Sequence, residues 1–134
     1  MADEPARARC GDPPPPELLR GIEQLNAGEF FEQHETLELL WRGTASPVRD
    51  LYHGILQVGV GLHHWRNANF HGAGVLLDEG LSKLAPFAPS CQRVDVEALI
   101  REIAAARERL NDLGPERMSE FELRDAPRVT LVPD

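Results

Sequence analysis

Apolar residues recur along this chain at intervals of three and four, the spacing that gathers them on one face of an α-helix. Leu18, Leu19, Ile22 and Leu25 form the first such run, and Pro16 suits the first turn of its helix. Asn26-Ala27-Gly28 ends that helix, with Gly28 free to take the left-handed conformation of a C-terminal cap. A second helix is predicted over residues 29–42. Ser46 and Pro47 then read as N-cap and first helical residue of a third helix reaching Arg66. Asn67-Ala68-Asn69 turns the chain into a fourth over residues 70–84, and the Pro-marked stretch 85–90 is a loop. Asp95 caps a fifth helix, which carries Leu99, Ile100, Ile103 and Leu110 on its apolar side and closes at Gly114-Pro115.

No segment offers paired strands, so the predicted class is all-α: a small bundle of about five helices. A shift of forty positions superposes Leu18 on Val58, Ile22 on Leu62, Leu25 on Trp65, Phe30 on Phe70, Leu37 on Leu77, Glu38 on Asp78 and Trp41 on Leu81. Each half is a helix, a tight turn and a second helix, and such hairpins stack because one cannot cover its own apolar face. The expected architecture is two stacked antiparallel helical hairpins plus a capping helix over residues 16–114. Residues 1–15, rich in Pro, Ala, Arg and Asp, bury too little apolar area to order themselves. Residues 115–134 form an irregular tail.

The apolar stripe of the second helix is interrupted by polar residues. At about 100° per residue, Phe30, His34, Leu37, Glu38 and Trp41 share one broad face, with Glu35 on its flank. On the third helix Leu51, Ile55, Val58 and Leu62 make one face, and His53, Gln57, Val60 and His64 make another. Almost no charge lies between Leu51 and Trp65, so this helix is expected to be central and covered all round. Buried polar groups need partners. The economical arrangement brings His34, Glu35 and Glu38 against His53, Gln57 and His64.

Three readings of that cluster stand side by side. It is a hydrogen-bond network fixing helix register; or a divalent-metal site using His34, Glu38, His64 and His53; or an acid/base pair acting on a small molecule, with His34, Glu35, Glu38 and His64 as candidates. The run His34-Glu35-x-x-Glu38 begins like a zinc-protease motif, but that motif needs histidine where Glu38 stands. Neither a Gly-x-Ser-x-Gly elbow nor a Gly-rich phosphate loop is present.

The net charge of −8 and scattered basic residues argue against nucleic acid and against an anionic membrane surface. The longest mainly apolar stretch, Gly54 to Leu62, is too short to span a bilayer, and the N-terminal residues lack a signal peptide's apolar core. Cys10 and Cys91 match no metal spacing; with Cys10 in a segment read as disordered, no disulfide is expected, and a reducing, cytoplasmic setting follows.

These motifs resemble the prokaryotic family catalogued as domain of unknown function number 309. The resemblance covers residues 18–87 and rests on Phe31, His34, Glu35, Glu38 and Trp41, then Gln57 and His64, then Gly72, Ala73, Leu76 and Leu77. His53 stands where the family has glutamine, and Ala68 where its turn has glycine. The resemblance implies a small all-helical domain and carries no activity with it; it singles out His34, Glu35, Glu38, Gln57 and His64 as the residues to test. The expected function is a binding or interaction module for a protein, a peptide or an identical subunit, with a buried cluster of His34, Glu35, Glu38, Trp41, His53, Gln57 and His64. The alternative is a small metal-dependent or acid/base enzyme built on the same residues. No cofactor is expected, a divalent metal being the one candidate.

Overall fold

The computed structural model describes residues 4–133 and converts the apolar periodicity into five α-helices: α1 (Pro16–Asn26), α2 (Phe30–Arg42), α3 (Arg49–Arg66), α4 (Phe70–Leu84) and α5 (Val96–Leu113). Each helix packs on the next in the chain, and α3 lies between α2 and α4. Its buried residues face both ways: Leu51, Tyr52, Ile55, Leu56, Val58, Leu62 and Trp65 are all withdrawn from water. The chain is thus all-α, a bundle of sequentially packed helices, with one small addition described below.

Several helix ends follow the sequence closely. Asp95 Oδ1 accepts from Ala98 N at 3.0 Å and caps α5; Asn69 Oδ1 accepts from Gly72 N at 2.9 Å and caps α4. Ser46 and Pro47 do not begin α3. They form a tight turn in which Arg49 N donates to Ser46 O and Asp50 N to Pro47 O, each at 3.0 Å, and the helix starts at Arg49.

The forty-residue offset reappears as geometry. The turn after α1 puts Gly28 at φ 79° and the turn after α3 puts Ala68 at φ 62°. In both, the next residue reaches back five positions: Glu29 N donates to Gln24 O at 2.9 Å and Asn69 N to His64 O at 2.8 Å. The two hairpins share one closing turn. Only the second carries a Cβ in the left-handed region, where it is strained.

Four expectations are corrected. First, the chain does contain paired strands: β1 (Ser90–Cys91) and β2 (Val94–Asp95) form an antiparallel hairpin, turned by Gln92 and Arg93 at φ 47° and 67°. No glycine marks that turn, which is why the pattern of the sequence hides it. Second, residues 4–12 are ordered rather than disordered, with turns closed by Ala8 N to Pro5 O, Cys10 N to Arg7 O and Asp12 N to Arg9 O at 3.0–3.1 Å; the same expectation for residues 1–3 lies outside the described residues. Third, Cys10 and Cys91 form a disulfide between Cα atoms 4.2 Å apart, across 81 positions of sequence. The inference from unpaired cysteines to a reducing compartment falls with it. Fourth, His34 and Glu38 are not interior, as the next subsection shows.

The irregular tail is held down at several points. Met118, Ala126 and Val129 are buried, and Trp65 Nε1 donates to Met118 O at 3.2 Å. Asn26 clasps Val129, its Nδ2 donating to Val129 O and its Oδ1 accepting from Val129 N, both at 2.9 Å.

The strained turn yields the first test. Ala68→Gly is expected to stabilise the protein by about 0.5–1 kcal/mol, since glycine takes φ near +60° without steric penalty. Gly28→Ala is expected to destabilise it, because a Cβ there also comes within 3.0 Å of Leu123 Cδ1. Urea unfolding of both variants measures the pair of opposite shifts.

Candidate functional site

The buried edge of α2 is Phe30, Gln33 and Leu37, at spacings of three and four. His34 and Glu38 sit one position further round and therefore lie on its shoulder. Their side chains are 40% and 30% exposed, with His34 Nε2 at 3.2 Å from Glu38 Oε2. The other carboxylate oxygen of Glu38 accepts from Arg42 Nη2 at 2.6 Å. Glu38 is thus bracketed along one helix face by a histidine before it and an arginine after it. Glu35 is exposed.

The seven sequence-predicted residues do not meet in one pocket; with Glu35 apart on the exposed side, the other six fall into three groups. The first is the His34–Glu38 pair. The second is Trp41 on α2 and His53 on α3, whose rings stack at 4.3 Å between centroids and 11° between planes. Arg49 lays its guanidinium over the same Trp41 ring at 4.7 Å. Burial, then the neighbouring Lys83 charge, pushes the His53 imidazole below its ordinary pKa, against smaller opposing effects from Asp50 and Glu79, with Arg49 adding to the depression. Neutral imidazole is favoured, as suits a ring flanked by cations. The third group points to α4 instead of α2: Gln57 Nε2 donates to Glu79 Oε2 at 2.8 Å, and His64 Nδ1 lies 3.3 Å from Asn69 Nδ2. Because Asn69 Oδ1 is committed to capping α4, its amide nitrogen faces His64, and His64 Nδ1 accepts.

The fully enclosed polar residue on α2 is one that sequence reasoning passed over. Gln33 is 0% exposed, neither of its amide atoms has a protein hydrogen-bond partner, and its Oε1 occupies the space a Cβ on Gly59 would need. Spacing alone did not single it out: Gln33 lies three after Phe30 and four before Leu37, His34 four after and three before, and the glycine that faces Gln33 shows only in the fold. His34 and Glu38 drew attention instead, being the residues with recognisable chemistry.

Two shallow depressions flank α3. One, of about 230 Å³, is lined by Phe30, Phe31, His34, Val60 and His63, and is almost wholly apolar apart from its two imidazoles. The other, of about 360 Å³, is lined by His53, Gln57, Glu79, Ser82 and Lys83. Phe31, at the rim of the first, is 58% exposed; Leu39, eight positions further along α2, is 75% exposed. Among the described residues no three His, Cys, Asp or Glu side chains converge in a way that would hold a metal ion. Among them, too, no helix is long and apolar enough to cross a membrane.

With this geometry in view, comparison with known proteins is informative about the helices that carry it. Residues 18–76 match the family model of DUF309, a domain of unknown function. The DUF309 match runs from the first buried leucine of α1 into α4, so it contains all seven residues just described and the turn at Ala68. No curated protein and no solved structure matches the chain.

Placement of His34 and Glu38 on a shoulder has a measurable consequence. His34→Ala and Glu38→Ala are each expected to lower stability by no more than about 1 kcal/mol, the range of exposed i, i+4 pairs. Chemical denaturation decides the matter: a loss of several kcal/mol in either variant would restore the enclosed network that the sequence suggested.

Proposed function

We propose that this domain is an interaction module whose α2–α3 face receives a basic, amphipathic helical segment of another protein. The observation that carries the reading is the apolar depression between Phe30, Phe31, His34, Val60 and His63, with Phe31 standing exposed at its rim. An exposed phenylalanine at the rim of an apolar hollow is a surface of the kind that marks partner sites. Around it the outer side of α2 carries Glu32, Glu35 and Glu38 against Arg42 alone, within a chain of net charge −8. An apolar knob with lysine or arginine on either side complements both features: the knob enters the depression and the cations approach the glutamates. Phe31 is the expected anchor, in keeping with the weight aromatic residues carry in interfaces.

The divalent-metal and acid/base alternatives draw less support from the same face. His34 and Glu38 supply two donors on one helix, and Arg42 already occupies one oxygen of Glu38. Trp41 and His53, stacked on each other, form a rigid wall at the far end of α2 and suit a contact surface better than a reacting centre.

Titration of a fluorescently labelled leucine/lysine amphipathic peptide into the full chain tests the proposal, with a leucine/glutamate peptide of the same pattern as comparison. The expected result is saturable binding of the basic peptide alone, weakened at least tenfold by Phe31→Ala and reduced by salt. Equal binding of both peptides, no binding, or binding indifferent to Phe31→Ala would overturn it. Self-association through the same face, seen by sedimentation and abolished by Phe31→Ala, would replace the foreign partner with a second copy.

A further inference from the structure

The segment before α1 crosses the domain as a strap, and its attachments are of two unequal kinds. The polar ones are numerous. Arg7 donates from Nη1 to Phe87 O at 2.6 Å and Ala88 O at 2.9 Å, and from Nη2 to Ser90 O at 2.9 Å. Gln92 N donates to Cys10 O at 2.7 Å and Gln92 Nε2 to Arg9 O at 3.2 Å. At its other end Glu4 takes a bond from Ser46 Oγ at 3.0 Å, in the connection between α2 and α3, and one from Arg9 Nε at 2.9 Å. Apolar attachment is slight: of this segment only Ala6 and Cys10 pack against the core, and neither is fully buried. The one covalent tie is the disulfide from Cys10 to Cys91 on β1.

What lies beneath differs in character. Cys91, Gln92, Tyr52 and Phe87 are 1–3% exposed, and Tyr52 OH donates to Gln92 Oε1 at 2.7 Å. Burial raises the Tyr52 phenol above its usual pKa. The strap thus closes over a polar pair, Tyr52–Gln92, that joins α3 to the β-hairpin. The helical core itself draws nothing fully buried from residues 4–12.

We propose that Cys10–Cys91 is a redox latch: a dithiol reductant releases residues 4–12 from the Tyr52–Gln92 surface while α1–α5 stay folded. The exchange balances. One thiolate of the reductant attacks Cys10 Sγ, the half-buried partner, forming a mixed disulfide and expelling the Cys91 thiolate, which takes up a proton. The second thiol of the reductant then attacks its own sulfur of the mixed disulfide and expels the Cys10 thiolate, which is protonated in turn. The reductant ends as a cyclic disulfide, two electrons and two protons having passed to the two cysteines. After reduction the strap is held by hydrogen bonds that water can replace, and the covalent restraint on their re-formation is gone. Release also frees Ser46 from Glu4, so the latch reports to the connection that leads from the Trp41 end of α2 into α3.

Limited trypsin digestion of the full chain, oxidised and then treated with dithiothreitol, tests this at Arg7 and Arg9. Mass spectrometry follows cleavage, hydrogen exchange follows the Gln92 amide, and far-UV circular dichroism follows the helices. Reduction is expected to speed cleavage at both arginines at least tenfold and to accelerate Gln92 exchange, with helical signal unchanged. Cys10→Ser, without reductant, is expected to behave as the reduced protein. Unchanged protection of Arg7 and Arg9 after complete reduction would overturn the latch and leave a passive cross-link. Loss of helical signal on reduction would overturn it too, since the strap would then be part of the core. So would failure of the reduced thiols to re-form the disulfide in oxidised glutathione.

Discussion

The close approach of α2 and α4 to opposite sides of α3 is the constraint from which the rest of the structure follows. On the α2 side, Gln33 fills the space in front of Gly59, where a methyl group would overlap its amide oxygen. On the α4 side, Gly80 brings its backbone against α3 so closely that a Cβ would meet Val58 Cγ2 at 2.8 Å and the Gly54 carbonyl at 3.3 Å. Glycine weakens a helix in isolation by about 1 kcal/mol relative to alanine. Here it lets two helices seat directly on a third, and dense packing outweighs the lost propensity.

That seating determines where chemistry is accessible. With two sides of α3 occupied, its remaining strip of His53, Val60, His63 and His64 opens between α2 and α4 as partly exposed positions. The shoulder of α2 then contributes Phe31, His34 and Trp41 to one edge of the strip, and α4 contributes Glu79 and Lys83 to the other. The polar residues that interrupt the apolar stripes therefore border a surface instead of bonding to each other inside. This is the ground on which the domain is read as a receptor for another chain.

Helix spans were legible because periodicity and caps agree locally: Gly28, Asp95 and Gly114 each sit where their chemistry demands. The identity of the enclosed polar residue was not. Gln33 and His34 differ by one step of about 100° on the helix, and choosing between them requires knowing that Gly59 lies opposite. The pairing of Cys10 with Cys91 was hidden for another reason. It depends on a strap of disorder-like composition being drawn in by Arg7, whose acceptors are backbone carbonyls that leave no mark on the sequence. The β-hairpin is equally silent, since two non-glycine residues adopt its left-handed turn.

Native-state hydrogen exchange of α3, in the wild type and in Gly59→Ala, tests the central constraint most directly. The amides of residues 55–62 are expected to exchange only through global unfolding, with a free energy equal to that from urea unfolding. In Gly59→Ala both values are expected to fall together by about 1–3 kcal/mol, the usual penalty of overpacking. Exchange of those wild-type amides by local opening, as readily as the ends of α1, would contradict the account.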